Sequence, residues 1–213
     1  MLSAPVSGFA QSANPPAHRV EIAIGVGVGA GSTVGAGDAS LRTRDATDYR
    51  LFSTSTRFAA SRLTEARVGF ALTRRYGVEG RLGFARPELR TRVTGDVEGA
   101  PDITLAERTD RYVIDGALVV MLDVIRIGAI VPFASAGAGY LRQLHEGLTL
   151  IEQGTVYHVG GGARRSLVAR DRGLLKAAGL RGDLRLDLFA GGVVGESGPR
   201  PQVAASGSLF VAF

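Results

Sequence analysis

The sequence predicts an all-β fold: an eight-stranded, antiparallel, up-and-down transmembrane β-barrel, with long connections at one mouth and shorter turns at the other. Three observations predict it. Residues 20–28 read Val-Glu-Ile-Ala-Ile-Gly-Val-Gly-Val. Strand side chains alternate, so Val20, Ile22, Ile24, Val26 and Val28 share one face, and Glu21, Ala23, Gly25 and Gly27 the other. A water-facing row of glycines would weaken a soluble strand for no return. A wall with a greasy exterior and a cramped interior has a use for it, as clearance for side chains from other strands. Similar segments recur along the chain, longer than the ~5–6 residues of an average soluble strand. The last residue, Phe213, completes the apolar face of the final segment.

Composition narrows the function classes. Of 213 residues 30 are glycine, about twice the usual share. Cysteine is absent, which removes disulfides, thiolate catalysis and thiolate metal sites. The formal charge of +5 rests on arginine, because Lys176 is the only lysine. No dense basic run with interleaved aromatics is present, so nucleic acid is not an expected partner. Nor is there a transmembrane helix: the apolar stretch 127–141 falls short of the ~18 residues required and is broken by Pro132. A tilted barrel strand needs only ~9–11 residues.

At the N-terminus, Ser7-Gly8-Phe9-Ala10 before Gln11 places small residues where a signal peptidase cuts. The preceding apolar run is short and no basic segment leads it. Residues 1–10 are expected to be a truncated signal-peptide remnant, with a disordered tail as the alternative. Residues 11–17 then form an N-terminal tail and 18–213 the barrel.

The strands follow in order. Residues 31–61 are polar and rich in Gly, Ser, Thr, Asp and Arg, and read as a loop. The second strand sets Ala66, Val68, Phe70 and Leu72 against Glu65, Arg67, Gly69 and Ala71. The third sets Tyr76, Val78, Leu82 and Phe84 against Glu79, Arg81 and Gly83. Residues 87–107, interrupted by Gly95, Gly99 and Pro101, read as a second loop. The fourth strand places Tyr112, Ile114, Leu118, Val120 and Leu122 opposite Arg111 and Asp115. A short turn leads to the fifth, ending near Tyr140, whose faces stay unassigned. After a loop over 143–153, the sixth sets Tyr157, Val159 and Ala163 against His158, Gly160, Gly162 and Arg164. Residues 166–178 form a polar connection, with one helical turn expected at 174–178. In the seventh strand Leu180, Leu184, Leu186 and Leu188 oppose Arg181, Asp183, Arg185 and Asp187. A Gly/Pro-rich loop, 191–201, precedes the last strand, where Val203, Ala205, Leu209, Val211 and Phe213 oppose Gln202, Ser206, Ser208 and Phe210.

The charged faces fit together as a lumen network of Glu65, Arg67, Glu79, Arg81, Arg111, Asp115, Arg181, Asp183, Arg185 and Asp187. A turn of five residues, 71–75, would set Glu65 opposite Arg81 and Arg67 opposite Glu79. A three-residue turn would set Arg67 against Arg81, which like-charge repulsion disfavours. An eight-stranded barrel has room inside for side chains but not for a wide pore. Buried charges there must pair, or each costs several kcal/mol. The expected interior is a salt-bridged plug.

With these pieces in hand, the chain resembles the small eight-stranded outer-membrane barrels of Gram-negative bacteria, the OmpA/OmpX/OmpW-like group. The resemblance rests on the signal-like start through Ala10, the opening strand, Pro132-Phe133 running into Gly137-Ala138-Gly139-Tyr140, Leu180-Arg181-Gly182-Asp183-Leu184-Arg185, and the closing Leu209-Phe210-Val211-Ala212-Phe213. It implies an outer-membrane location, a periplasmic tail, extracellular long loops and periplasmic short turns. Leu209, Val211 and Phe213 are similar to the signal read by the outer-membrane assembly machinery. Implied partners are outer-membrane lipid, lipopolysaccharide, that machinery and periplasmic chaperones, with the chain as a monomer. Two departures stand out. No peptidoglycan-binding domain is expected after the barrel, and without Trp the aromatic girdle falls to Tyr76, Tyr112, Tyr140 and phenylalanines.

Catalytic signals are weak. Gly25-Val-Gly27-Val-Gly29-Ala30 matches a dinucleotide-binding pattern, but its glycines lie within a strand rather than after one. The histidines are His18, His145 and His158, none beside a serine motif that would make a triad. No cofactor or metal is expected. The expected role is non-enzymatic: structural or surface-interacting through the loops, with a narrow channel as the alternative and a lipid-modifying barrel enzyme further behind.

Overall fold

The computed structural model describes residues 20–42, 48–145, 150–170, 172–191 and 198–213. The expected signal remnant, the N-terminal tail and His18 lie outside the described residues. The strands are β1 (Val20–Gly29), β2 (Ser32–Arg42), β3 (Asp48–Phe58), β4 (Ser61–Ala71), β5 (Tyr76–Ala85), β6 (Glu88–Thr94), β7 (Ile103–Met121), β8 (Ile130–His145), β9 (Ile151–Ala169), β10 (Ala177–Gly191) and β11 (Arg200–Ala212).

Eight of them close a ring. In order around it come β1, β4, β5, β7, β8, β9, β10 and β11, each antiparallel to the next. β11 then returns to β1, pairing from Glu21–Ala212 to Gly29–Ala204. A closed ring leaves no sheet edge among its members, which is the condition for strands to cross hydrocarbon.

Side-chain burial inverts the pattern of a soluble domain. Outward-pointing Ile24 and Leu209 are 70% and 66% exposed, whereas inward-pointing Arg67 and Glu65 are 2% and 3% exposed. In water so large an apolar surface would drive association. In a bilayer it is the contact face. The expected faces hold, and the fifth barrel strand now has its own: on β8, Phe133, Ser135, Leu141, Gln143 and His145 point inward, and Ala134, Ala136, Ala138 and Tyr140 outward.

Three expectations need correction. Residues 31–61 and 87–107 are not loops. β2 pairs with β3, β3 with β6, and β6 with the first part of β7, so the barrel wall continues as a four-stranded extension beyond one mouth. Water bathes both faces there, so polarity does not forbid a strand, and Tyr49, Phe52, Thr54 and Thr56 favour one. Pro87 marks the break between β5 and β6, since it has no amide to give a ladder. The gap is bridged instead by the Ala59 amide to the Glu88 carbonyl at 2.8 Å and the Thr109 amide to the Pro87 carbonyl at 3.0 Å.

The helical turn expected at 174–178 is also absent. Ala177 is already laddered to both Ala169 and Ala212. A single turn of 3-10 helix lies elsewhere, at Asp123–Ile125 in the β7–β8 connection.

The β4–β5 register is the third. The turn is the three-residue form, closed by the Leu72 amide to the Tyr76 carbonyl at 3.0 Å. The Thr73 hydroxyl accepts from the amides of Arg75 and Tyr76 at 3.2 and 3.0 Å. Arg67 therefore faces Arg81, and Glu79 faces Gly69. Repulsion across that rung does not decide the register, because carboxylates on other strands reach both arginines.

The glycines of β1 also read differently. A Cβ on Gly25 would sit 2.8 Å from both the Gly207 carbonyl oxygen and Ser208 Cβ, and one on Gly27 would collide with the Ala205 carbonyl. The clearance serves the backbone of the neighbouring strand, coiled tightly against β1, before it serves any charge from across the barrel.

Candidate functional site

Alternation aims one side chain in two at the barrel axis, and these stack in three tiers. The first lies towards the short-turn end. Arg67 donates to Asp183 at 2.8 Å and pairs with Glu65. Arg181 pairs with Glu79 and donates to Asp183 at 2.9 Å, with its guanidinium 4.3 Å from the Phe133 ring centre. Arg164 pairs with Glu21 at 2.9 Å and lies 4.7 Å from the Phe210 ring centre.

The middle tier joins β4, β5, β7 and β10. Arg81 Nε donates to Asp115 at 2.7 Å and its Nη2 binds the same oxygen. Arg185 reaches Glu65 at 3.1 Å and Asp187 at 3.9 Å. The Ser206 hydroxyl donates to Glu65 at 2.7 Å. His158 is buried on the same inner surface of β9.

The third tier, beneath the extension, is built differently. Arg111 donates to the side-chain oxygens of Gln143 and Gln202, each at 3.0 Å. Its guanidinium lies between Phe58 and Phe189, 4.5 and 4.9 Å from their ring centres. Arg200 lies 5.1 Å from the Phe58 ring centre and donates to the Gly191 carbonyl at 3.1 Å. Val113, Leu141, Val156 and Phe189 pack as an apolar cluster. Between this tier and the middle one a cavity of about 40 Å³ remains, lined in part by Arg81, Arg111, Arg185 and Asp187. That is room for a few waters, given about 10–15 Å³ each.

The structure thus gathers nine of the sequence-predicted lumen residues into two ion-paired tiers. The tenth, Arg111, stands apart: among the described residues it makes no ion pair, and its charge is met by amide oxygens and ring faces. It projects from β7 two pleats beyond Asp115, at a level lined by Gln143, Gln202 and phenylalanines. Sequence reasoning missed the Glu21–Arg164 pair, although strand parity already placed both inside. Phe58 and Arg200 were missed because both fell in segments read as loops.

At the mouth, His145 ends β8 above the Tyr112 and Tyr140 level. Its Nδ1 lies 2.9 Å from Glu107 and its Nε2 2.8 Å from Glu152. Burial works against the charged ring, but the hydrogen bonds to Glu152 and Glu107 outweigh it and hold the pKa above its ordinary value. Where the barrel bends into the extension, an open cleft of about 410 Å³ is lined by Gly31, Ser32, Thr33, Arg57, Phe58 and Arg90, among others.

A closed eight-stranded ladder, an apolar outer wall and a charge-filled interior define a small transmembrane barrel of the outer-membrane class. No protein-family model matches the sequence, and no curated protein matches it. Among solved structures, it is similar to Ail, the attachment invasion locus protein of Yersinia pestis, in complex with the heparin analogue sucrose octasulfate: TM-score 0.40 and 9% identity over 91% of this chain and 97% of that one. A second Ail structure gives 0.35 and 11% over 91% and 97%. The beta domain of the Bordetella autotransporter BrkA gives 0.34 and 9% over 92% and 99%. Likeness at this level adds nothing to the geometry, on which the class rests.

Proposed function

We propose that the chain is a non-enzymatic barrel of a Gram-negative outer membrane, sealed through its lumen and working at its outer surface. The observation that carries this reading is the contrast between inside and outside. In the two lower tiers the inward arginines and carboxylates are mutually bonded, and above them Arg111 is held by amide oxygens and ring faces, which favours a plug over a pathway. Arginines on the outside are exposed above the apolar wall: Arg57, Arg62, Arg108 and Arg142, with Arg86 and Arg90 paired to Asp110 and Glu88. The register sets Arg62 opposite Val28 and Arg142 opposite Tyr112, at the upper edge of the lipid-facing band.

That arc of arginines, over the β4, β5, β7 and β8 side of the barrel, suits the phosphates of lipopolysaccharide, which Arg can bind with a planar fork. The four-stranded extension would stand beyond the sugar layer as the surface for interaction with other molecules. The chain acts as a monomer, needs no cofactor, and reaches the membrane through periplasmic chaperones and the assembly machinery, which reads Leu209, Val211 and Phe213.

Two measurements test the reading. Outer-membrane fractions should contain a band whose gel migration shifts on heating, and a chain found only in soluble fractions would overturn the location. Purified barrel in planar bilayers should stay closed. Reproducible conductance steps would replace the plug with a narrow channel.

A further inference from the structure

The three turns at the opposite end share a composition that the lumen does not require. We propose that this rim binds the acidic phospholipid headgroups of the leaflet it faces; the inference rests on the membrane reading above. Each turn places exposed apolar side chains beside exposed arginines. The β4–β5 turn has Leu72 next to Arg74 and Arg75, and the β7–β8 turn has Val124, Ile125 and Ile127 around Arg126. In the β9–β10 connection Leu174 stands with Arg170 and Arg172. Val124 is 85% and Leu174 81% exposed.

The turns form one rim. The Met121 amide donates to the Arg75 carbonyl at 2.8 Å, tying the first turn to the strand that enters the second. Arg165 points outward opposite Ile130 and Leu180, where the apolar wall ends. Arg126 gives its Nε to the Gly128 carbonyl at 2.8 Å, which holds the side chain along the turn. Asp123 is the acidic side chain among the described residues of these turns.

This composition selects an interface. Leu174 and Val124 at turn tips are unfavourable in water, while the arginines beside them forbid deep entry into hydrocarbon. At the headgroup level both are satisfied: the apolar groups enter the acyl boundary and the guanidiniums meet phosphates. A zwitterionic headgroup offers its phosphate beside an ammonium. An acidic one, such as phosphatidylglycerol, does not, and should be preferred.

The test uses the whole refolded protein in vesicles of phosphatidylethanolamine with or without phosphatidylglycerol. Lipids retained on the protein are counted by native mass spectrometry. The comparison variant carries Arg74→Gln, Arg75→Gln, Arg126→Gln, Arg170→Gln and Arg172→Gln together. The wild type should retain phosphatidylglycerol over phosphatidylethanolamine by about fivefold or more, the worth of about one such contact. The variant should fall to near parity while keeping its heat-shifted band. No preference in the wild type, or an undiminished one in the variant, overturns the proposal. So does a loss produced instead by Arg62→Gln with Arg142→Gln at the other end. Failure of the wild type to insert would overturn the membrane reading itself, and the missing heat-shifted band tells the two failures apart.

Discussion

Arg67 and Arg81 stand directly opposite one another on β4 and β5, yet both stay buried in the lumen. On an open sheet that rung would be unfavourable. In a narrow closed barrel the far wall is within reach. β10 brings Asp183 to Arg67 at 2.8 Å across the lumen, and β7, the neighbour of β5, sets Asp115 directly opposite Arg81. The sum over the lumen, rather than the nearest rung, settles the register.

Arg81 and Asp115 should therefore be strongly coupled. Arg81→Leu leaves the Asp115 carboxylate without its two-pronged partner, and Asp115→Leu leaves the guanidinium short of charge. Each single change should cost about 3–5 kcal/mol. The double variant should cost less than the sum by about 1–3 kcal/mol. Urea midpoints read from the heat-shifted band measure all three. Additive losses would mean that the pair is not a unit.

Gly27 should be less replaceable than Val26. Even a methyl group at position 27 meets the backbone of β11, which cannot swing aside without breaking the ladder that closes the ring. Val26→Ala removes only lipid contact. Gly27→Ala should lower the folded fraction more than Val26→Ala, and Gly27→Leu more again, by gel shift after refolding into detergent. Equal yields would show that β1 and β11 lie farther apart than described.

Much of this was legible in the sequence because period two is a strong signal wherever one face meets lipid. Leu184 beside Arg185 declares its face unaided. Where both faces meet water the signal fades, so β2 and β3 read as loop although their ladder is continuous through two bulges. The lumen charges were legible as a set, since parity points them inward. Their partners were not, because pairing across a barrel depends on tilt and stagger. Arg111 shows the limit: nothing in its neighbourhood on β7 announces Phe58 and Phe189.

Leu184 and Asp183 are adjacent and answer to opposite solvents. Leu184→Arg puts a charge on the lipid face and should cost about 2–4 kcal/mol if it lies near the bilayer centre. Arg181→Leu with Asp183→Leu would suit a soluble surface, but here it strips partners from Glu79 and Arg67. Both variants should refold less completely than the wild type. If the Arg181/Asp183 double variant were tolerated in full, the inner face would be solvated rather than packed.

His145 gives the mouth a pH dependence of definite sign. Its pKa is raised above the ordinary 6.5 by Glu152 and Glu107, despite burial. Folding then binds the proton more tightly than the unfolded chain does. The stabilisation is fully present below about 6.5, provided the carboxylates remain charged, and is lost as pH rises through the elevated value. The contact ties β8 to β7 and β9 at the mouth. His145→Gln keeps a polar side chain but no titratable charge. The wild type should exceed this variant in thermal midpoint most at about pH 5.5–6, and the gap should narrow as pH rises through the elevated pKa. A gap that is constant across that range would reduce the histidine to a neutral hydrogen-bonding spacer between two carboxylates.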